Sequence, residues 1–265
     1  MSSKKKERKI IFKTPEQIKN IRQSWKLLNE LLYLLYNSAK VWVNSLDLEK
    51  IAEGFMKQNN VTWSFKWYDW YPANLCLSVN ECVVHAIPSD YILQNWDLLK
   101  IDTWVNYKWW ISDSAISVVI WWEVANPEAF RLIKSTKKAL DWAIKYVLPW
   151  KPIYDYSEKI FQSVTNDWFS ILKTLTWHWV WVEVHEAPHV YNYPHDSTKK
   201  NFFQANMVVC LEPITAFTST DVVEKKPNKR NLYTKNWDLW AQREYMVLIT
   251  ENGYEILSGI TEDLF

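Results

Sequence analysis

Apolar residues near the start of the chain recur at the spacing of one helix face. Separations of three, four and seven positions place one set of them on the same helix face, namely Ile18, Ile21, Leu28, Leu31, Leu32 and Leu35. The segment Thr14-Pro15-Glu16-Gln17 has the form of a capping box with proline at the first helical position. The pattern therefore predicts a helix beginning at Pro15. A second helix is predicted after Ser45 as its N-cap, extending through Met56.

The pattern changes to alternation after residue 75. Leu75, Leu77 and Val79 alternate with other residues, and a second alternation covers 99–106, which indicates strands. Asn126-Pro127 then has the form of a helix start, a further helix is predicted from Tyr156 to Thr165, and the remainder to Ile256 is mostly strand. The order of helices then strands, repeated once, predicts an α+β fold of two similar halves.

The composition is unusual in its glycine and tryptophan content. The chain has 265 residues with only 3 glycines but 19 tryptophans. Glycine normally makes up about 7% of a protein, or about 18 residues here, and the two types together have an ordinary frequency. The deficit in glycine thus matches the surplus in tryptophan.

Several tryptophans occupy positions where turns favour glycine. Trp96 and Trp237 each follow asparagine and precede aspartate, Trp150 follows a proline, and Trp168 follows a helical segment. Asn252-Gly253 shows the usual form of such a turn. One interpretation is that these are true aromatic residues of a core or a ligand platform. The turn chemistry favours another, in which the gene's own cell reads UGA as glycine.

Net charge excludes one class of partner. Lys and Arg number 31 against 30 Asp and Glu, so there is no overall basic field for nucleic acid or an anionic membrane. No apolar run is long enough to span a membrane. The basic residues 1–9 are predicted to form a disordered, solvated tail, with docking to an RNA-rich surface as the alternative. Residues 10–265 are predicted to form a single domain of two similar halves.

Cysteine usage indicates a reducing compartment. Cys76, Cys82 and Cys210 are odd in number and contain no CxxC pair, which argues against a disulfide framework and a thiolate zinc site. The prediction is therefore a cytoplasmic protein.

Five residues with metal-binding side chains lie in apolar or tight-turn stretches. A single one of them would be an ordinary surface or hydrogen-bonded group, but several buried carboxylates would raise one another's pKa unless cations compensate. Four carboxylates match the charge of two divalent cations. Oxygen donors with one imidazole favour Mn, Fe or Co, with Zn as the alternative. The five residues are Asp102, Asp113, His178, Glu212 and Glu244.

The surrounding motifs resemble those of bacterial type I methionine aminopeptidases, from Ile11 to Leu257. The segments that carry the resemblance are SVNECVVHAIP, KIDTW, ISDSA, TWHWVWVEVHEAP, CLEP and AQREY. Glycine in place of tryptophan turns the longest of them into TGHGVGVEVHEAP, which is closer still to the family. The resemblance implies the pita-bread fold, in which two halves related by a pseudo-twofold axis form a curved antiparallel sheet covered by helices.

The resemblance also implies roles for individual residues. Asp102 would bind one metal, Asp113 and Glu244 would bridge two, and His178 and Glu212 would complete the second site. His85 and His185 would contact the substrate amide. The methionine side chain would enter an apolar pocket of Tyr68, Tyr71, Cys76 and Phe65. The sequence departs from the family's usual residues at Val184, Arg243 and Tyr245.

The activity implied is removal of the initiator methionine from nascent polypeptides by a hydroxide held between two divalent metal ions. Glu212 would pass a proton to the leaving amine. We expect a cytoplasmic monomer that works near the ribosome, with no nucleic-acid specificity and no membrane partner. Two alternatives remain, an Xaa-Pro aminopeptidase or prolidase of the same fold and a non-catalytic peptide-binding relative.

Overall fold

The computed structural model describes residues 10–61, 65–121, 126–175, 177–179, 186–224 and 231–257. At residues 69, 177–179 and 186–188 it describes the backbone alone. The predicted basic tail, 1–9, lies outside the described residues.

Among the described residues there are four α-helices, and two of them begin where the local sequence predicts. Thr14 accepts a hydrogen bond from the Gln17 amide, and its own amide donates to the Gln17 side chain, so the predicted capping box is confirmed. Asn126 caps the third helix by accepting from the Ala129 amide over 3.1 Å. The helices are α1 Pro15–Ser38, α2 Ser45–Gln58, α3 Pro127–Ala143 and α4 Ile153–Asn166.

The predicted cap of α2 is wrong by one residue. Asn44 is the N-cap, because its side-chain oxygen accepts a hydrogen bond from the Leu46 amide over 2.8 Å. The Ser45 hydroxyl instead donates to the Ser89 carbonyl over 2.6 Å. A tertiary contact therefore takes the serine side chain that the sequence assigns to the cap.

All strand pairings among the described residues are antiparallel. The longest pair is the hairpin of β3 and β4, and the later strands are mostly three to five residues long. The strands are β1 Cys76–Val79, β2 Cys82–Val83, β3 Leu98–Tyr107, β4 Trp110–Val119, β5 Ser170–Ile171, β6 Trp177–Trp179, β7 Glu186–Val190, β8 Val208–Leu211, β9 Ile214–Ala216, β10 Val222–Glu224, β11 Leu232–Thr234, β12 Trp240–Gln242, β13 Tyr245–Ile249 and β14 Tyr254–Ile256. The hydrogen-bonded orders are β1-β3-β4, β10-β11-β2, β12-β9-β5, β14-β13-β8 and β6-β7.

Each half of the chain buries a helix pair against its own strands. In the first half, Leu28 of α1 and Leu48 of α2 belong to one apolar cluster with Leu99 of β3. In the second half, Ile133 of α3 and Ile160 of α4 share a cluster with strands β8 and β13. This arrangement agrees with the predicted α+β fold of two similar halves. No helix in the described ranges has both the length and the apolar character that crossing a bilayer requires.

Eight described tryptophans have left-handed backbone conformations, with φ between 58° and 77°. A β-carbon in this region costs roughly 1–2 kcal/mol. The predictions for Trp96, Trp150, Trp168 and Trp237 are confirmed, with φ of 77°, 67°, 66° and 58°. The other four are Trp42, Trp67, Trp70 and Trp109.

The β3–β4 hairpin shows the clearest conflict between residue type and turn. Lys108 and Trp109 are the two residues between the strands, with φ of 52° and 73°. Two positive φ values in a two-residue loop are typical of a type I′ turn, for which Asn-Gly is the preferred sequence. The backbone therefore adopts the conformation that favours glycine at position 109.

Candidate metal centre

The β3–β4 hairpin places two carboxylates on one face of the sheet. Asp102 lies in β3, and Asp113 in β4 pairs with Trp104. Side chains two residues apart on a strand share a face, as do directly opposed residues of an antiparallel pair. Asp102, Trp104 and Asp113 consequently project from the same side.

Glu244 reaches this face from the second half of the chain. It lies between β12 and β13, and its amide donates to the Ala115 carbonyl of β4 over 3.0 Å. The Ser114 hydroxyl donates to the Glu244 carbonyl over 2.9 Å. With the backbone held in this way, carboxylate oxygens of Asp102, Asp113 and Glu244 lie within 4.8 Å of one another.

Glu212 belongs to the same electrostatic cluster. It directly follows β8 and is 3% exposed, and the charges of Glu244, Asp102 and Asp113 help to raise its pKa. Its carbonyl accepts a hydrogen bond from the side-chain amide of Asn192 over 2.7 Å. That bond fixes the chain where it leaves β8.

Burial disfavours the charged form of all four carboxylates. It raises the pKa of Asp102 to about 7. Burial and the neighbouring carboxylates raise the pKa values of Asp113, Glu212 and Glu244 well above their ordinary range. A hydrogen bond with the Cys210 thiol opposes part of this effect at Glu244. The cluster is therefore unfavourable as a set of bare anions.

Divalent cations fit this donor set. Within the described residues, Asp113 Oδ1 is buried and has no hydrogen-bond partner. A buried acceptor without a partner is costly, and carboxylate oxygens are the donors that hard and borderline divalent cations accept. Bound cations would neutralise the four negative charges of the deprotonated carboxylates and would give Asp113 Oδ1 a partner. The four residues are Asp102, Asp113, Glu212 and Glu244.

An apolar surface adjoins the cluster on the β1 side. Cys76 of β1 pairs directly with Asp102 of β3. The Tyr71 hydroxyl donates to the carbonyls of Leu75 over 3.1 Å and Ala86 over 2.8 Å, and its ring centroid lies 5.7 Å from that of Phe65. Burial keeps the pKa of the Cys76 thiol well above its usual range, so the thiol stays neutral. The sequence-predicted pocket residues Phe65, Tyr71 and Cys76 are therefore neighbours beside the carboxylates.

His85 lies next to this surface in a left-handed conformation, with φ of 59°. Its amide donates to the Cys76 thiol. The side chain is exposed, and the surrounding protein lowers its pKa by desolvation, which favours the neutral imidazole.

The described residues cover part of the predicted site. The structure brings the carboxylates of Asp102, Asp113 and Glu244 together, and Glu212 lies near enough for their charges to raise its pKa in addition to burial. The backbone of His178 lies in β6, but its side chain is outside the description, and so are residues 180–185 with His185 and Val184. The departures Arg243 and Tyr245 are both buried, and the Tyr245 hydroxyl donates to Asp141.

Sequence reasoning missed Ser114 and Trp104. Ser114 lies in ISDSA, next to Asp113 in an apolar strand. Its hydroxyl in this apolar context is the sequence signal for a hydrogen bond to a distant segment. Trp104 lies in KIDTW, two residues after Asp102. Strand alternation alone places it on the carboxylate face.

Comparisons with known proteins agree with this geometry. A profile of metallopeptidase family M24 matches residues 19–251. A methionine aminopeptidase of Mycoplasma capricolum is 32% identical over 249 residues, which cover 94% of this chain and 98% of that protein. The crystal structure of a methionine aminopeptidase from Thermotoga maritima is similar with a TM-score of 0.89 and 27% identity, covering 94% of this chain and 99% of that one.

A prolidase provides a more distant comparison. The structure of the prolidase from Pyrococcus horikoshii is similar with a TM-score of 0.75 and 18% identity. The match covers 96% of this chain and 65% of the prolidase. The matches together confirm the predicted pita-bread fold.

Proposed function

The chain belongs to metallopeptidase family M24, and from that membership we propose that it removes the N-terminal methionine from polypeptides. The observation that carries the proposal is the convergence of Asp102, Asp113 and Glu244, whose carboxylate oxygens lie within 4.8 Å of one another. Two of these residues come from a first-half hairpin and the third from the second half. The Mycoplasma relative, matched over nearly its full length, is named for this activity.

The carboxylate cluster would hold two divalent cations. Asp102 would bind one, Asp113 and Glu244 would bridge the pair, and Glu212 with His178 would bind the other. Mn, Fe or Co suits this oxygen-rich set, with Zn as the alternative. When bound, such cations supply Lewis acidity and a water molecule of lowered pKa.

The remaining site residues would position the substrate and move its proton. Glu212, buried beside the cluster, would carry a proton to the leaving amine. His85 would hold the amide of the second residue, because its imidazole is exposed next to Cys76 and favours the neutral form. His185 would stabilise charge on the carbonyl oxygen.

The apolar residues beside Asp102 would bind the methionine side chain. Phe65, Tyr71 and Cys76 line this region, and Tyr68 lies at its exposed side, 42% accessible. The proximity of Cys76 to Asp102 across the β1–β3 ladder supports this role, because the substrate's first side chain must lie close to the carboxylates.

The cellular setting is part of the same proposal. The substrates would be nascent polypeptides as they leave the ribosome, and the enzyme would act as a cytoplasmic monomer. Three free cysteines are compatible with a reducing compartment.

Peptide hydrolysis by the metal-loaded protein tests the proposal. We expect cleavage of Met-Ala-Ser and no cleavage of an Ala-Pro peptide, with Mn, Fe, Co and Zn compared in parallel. Asp113→Asn should remove activity, because it deletes a bridging charge. Preference for the Ala-Pro peptide would instead establish the prolidase alternative, and metal-dependent peptide binding without any hydrolysis would establish the non-catalytic one.

A matched histidine pair tests the role of His85. His85→Asn preserves the left-handed backbone, which asparagine tolerates, and should raise KM by roughly tenfold or more. His189→Asn changes an exposed histidine outside the cluster and should leave KM unchanged. Equal effects of the two substitutions would contradict the assigned role.

A further inference from the structure

We infer that the working polypeptide carries glycine where this chain has tryptophan, and that the exchange at residue 104 opens the pocket for the substrate side chain. The first part rests on the backbone conformation and exposure of eight tryptophans, and a single reassigned codon extends it to the others. The second part rests on the proposed function.

The left-handed tryptophans have the conformations of glycines. Eight described tryptophans have φ between 58° and 77°, a region that glycine adopts without a steric penalty. Trp67 and Trp70 flank the pocket residue Tyr68, and Trp109 occupies the second position of the β3–β4 turn. No single packing requirement is shared by these positions, but all share the backbone conformation.

The same indoles contribute little to the core. Each of the eight is between 51% and 87% exposed, and Trp168 and Trp109 are the most exposed at 87% and 82%. Buried area is the usual source of stabilisation by tryptophan. Strain without compensating burial favours glycine at these sites, and a UGA codon read as glycine would account for every one.

Trp104 differs because its indole is buried. It is 4% exposed, and its ring lies in edge-on contact with Phe65 at 5.8 Å and Tyr68 at 6.0 Å between centroids. Its indole N–H is buried and has no hydrogen-bond partner among the described residues. An unsatisfied buried donor is destabilising, so the polar atom of this side chain fits its surroundings poorly.

The position of Trp104 connects the carboxylate cluster to the pocket. It shares a strand face with Asp102 and pairs with Asp113, while its ring contacts two of the aromatic pocket residues. The indole therefore fills space between the reacting centre and Phe65. Glycine at this position would leave an apolar space beside the carboxylates, which suits a flexible thioether side chain such as methionine.

Mass spectrometry of the protein purified from its own cells tests the first part. We expect peptides covering positions 42, 96, 109 and 168 to contain glycine, and the intact mass to be lower than that of a chain with 19 tryptophans. Tryptophan at these positions would overturn the inference.

A pair of chains tests the second part. Both carry glycine at all other tryptophan positions, and they differ only in whether Trp104 is kept or replaced. We expect the Trp104→Gly chain to bind free methionine and to cleave Met-Ala-Ser. The chain that keeps Trp104 should bind metal equally well, but its KM for Met-Ala-Ser should be higher by at least about tenfold. Equal methionine binding by the two chains would refute the role of residue 104.

A third chain controls for added bulk. It carries Trp104→Gly and keeps tryptophan at position 25 only. The Trp25 indole packs against the same apolar cluster as Trp104 but projects from α1. Its KM should equal that of the Trp104→Gly chain, and a rise equal to that caused by keeping Trp104 would overturn the pocket assignment.

A fourth chain covers the case in which the chain that keeps Trp104 does not fold. Trp104→Leu gives a side chain of intermediate volume and should give an intermediate KM, whereas a KM equal to that of the Trp104→Gly chain would contradict the pocket assignment. Methionine binding without hydrolysis by the Trp104→Gly chain would refute the proposed function but retain the pocket.

Discussion

The Ser114 hydroxyl donates a hydrogen bond to the Glu244 carbonyl over 2.9 Å, across 130 positions of sequence. The Glu244 amide also donates a hydrogen bond, to the Ala115 carbonyl over 3.0 Å. These two bonds join the halves of the chain at the carboxylate cluster. The position of Glu244 relative to Asp113 thus depends on a residue that carries no charge.

Ser114→Ala should weaken metal binding. Loss of one buried hydrogen bond costs about 1 kcal/mol, which corresponds to roughly fivefold in the metal dissociation constant if it acts on Glu244. Isothermal titration with Mn²⁺ measures this change. Ser157→Ala is the matched control, because Ser157 is equally buried and donates within α4 to Ile153. A similar loss of metal affinity in both variants would contradict the role of Ser114.

The metal-free protein should lose stability as pH rises from about 4 to 7. Burial raises the pKa of Asp102 from 3.8 to about 7, so between these values the folded state holds a proton that the unfolded state has released. Stability is therefore full below the unfolded pKa and is lost on raising pH through the folded pKa, by up to about 1.4 kcal/mol per pH unit for one group. Urea denaturation in the presence of a chelator measures the slope.

Divalent metal should reverse this loss. Mn²⁺ binds the deprotonated cluster, so its stabilisation of the fold should be larger at pH 7.5 than at pH 5. Asp102→Asn should reduce the difference by removing one titrating group. Equal metal stabilisation at both pH values would show that these carboxylates are not the binding site.

Lys100 should produce a slope of the opposite sign at higher pH. Its ammonium group is buried, donates to the carbonyls of Asn80 over 2.6 Å and Leu98 over 3.0 Å, and burial lowers its pKa from 10.5 to about 7. Between pH 7 and 10.5 the unfolded chain binds the extra proton, so stability rises with pH. Lys100→Met should abolish this contribution, measured as the difference from the parent in urea denaturation. Lys50→Met, at an exposed helix position, should leave the slope intact.

Trp109→Gly should stabilise the chain by about 1 kcal/mol or more, because it relieves positive φ in the β3–β4 turn. Trp142→Gly should destabilise the chain by roughly 0.5 kcal/mol, since Trp142 lies within α3 and glycine is a poorer helix former than tryptophan. Thermal unfolding of the two variants provides the measurement. Destabilisation by both would show that the indole of Trp109 contributes more than its backbone strain costs.

Local signals accounted for much of the fold. The Thr14 capping box operates within four residues, so its outcome is fixed by neighbouring side chains. At the start of α2, both Asn44 and Ser45 are suited to capping. A contact with Ser89, more than forty residues away, decides between them, and only the tertiary structure contains that information.

The candidate site was less accessible to local reasoning. Charge and apolar context singled out Asp102, Asp113 and Glu244, but their convergence depends on the β3–β4 register and on bonds between halves. The assignment of their roles came from motif resemblance. Strands as short as Ser170–Ile171 have no periodicity to detect, and Lys100 in an alternating strand gives no sign that its charge is buried.

Glycine in place of the exposed indoles on left-handed turns would change the absorbance and fluorescence of the protein. A polypeptide with glycine at all 19 tryptophan positions contains no indole chromophore, so its absorbance near 280 nm comes from 14 tyrosines. Excitation at 295 nm would then give almost no emission. A fluorimeter reading on a few micrograms of the authentic enzyme would distinguish the two polypeptides before any sequencing.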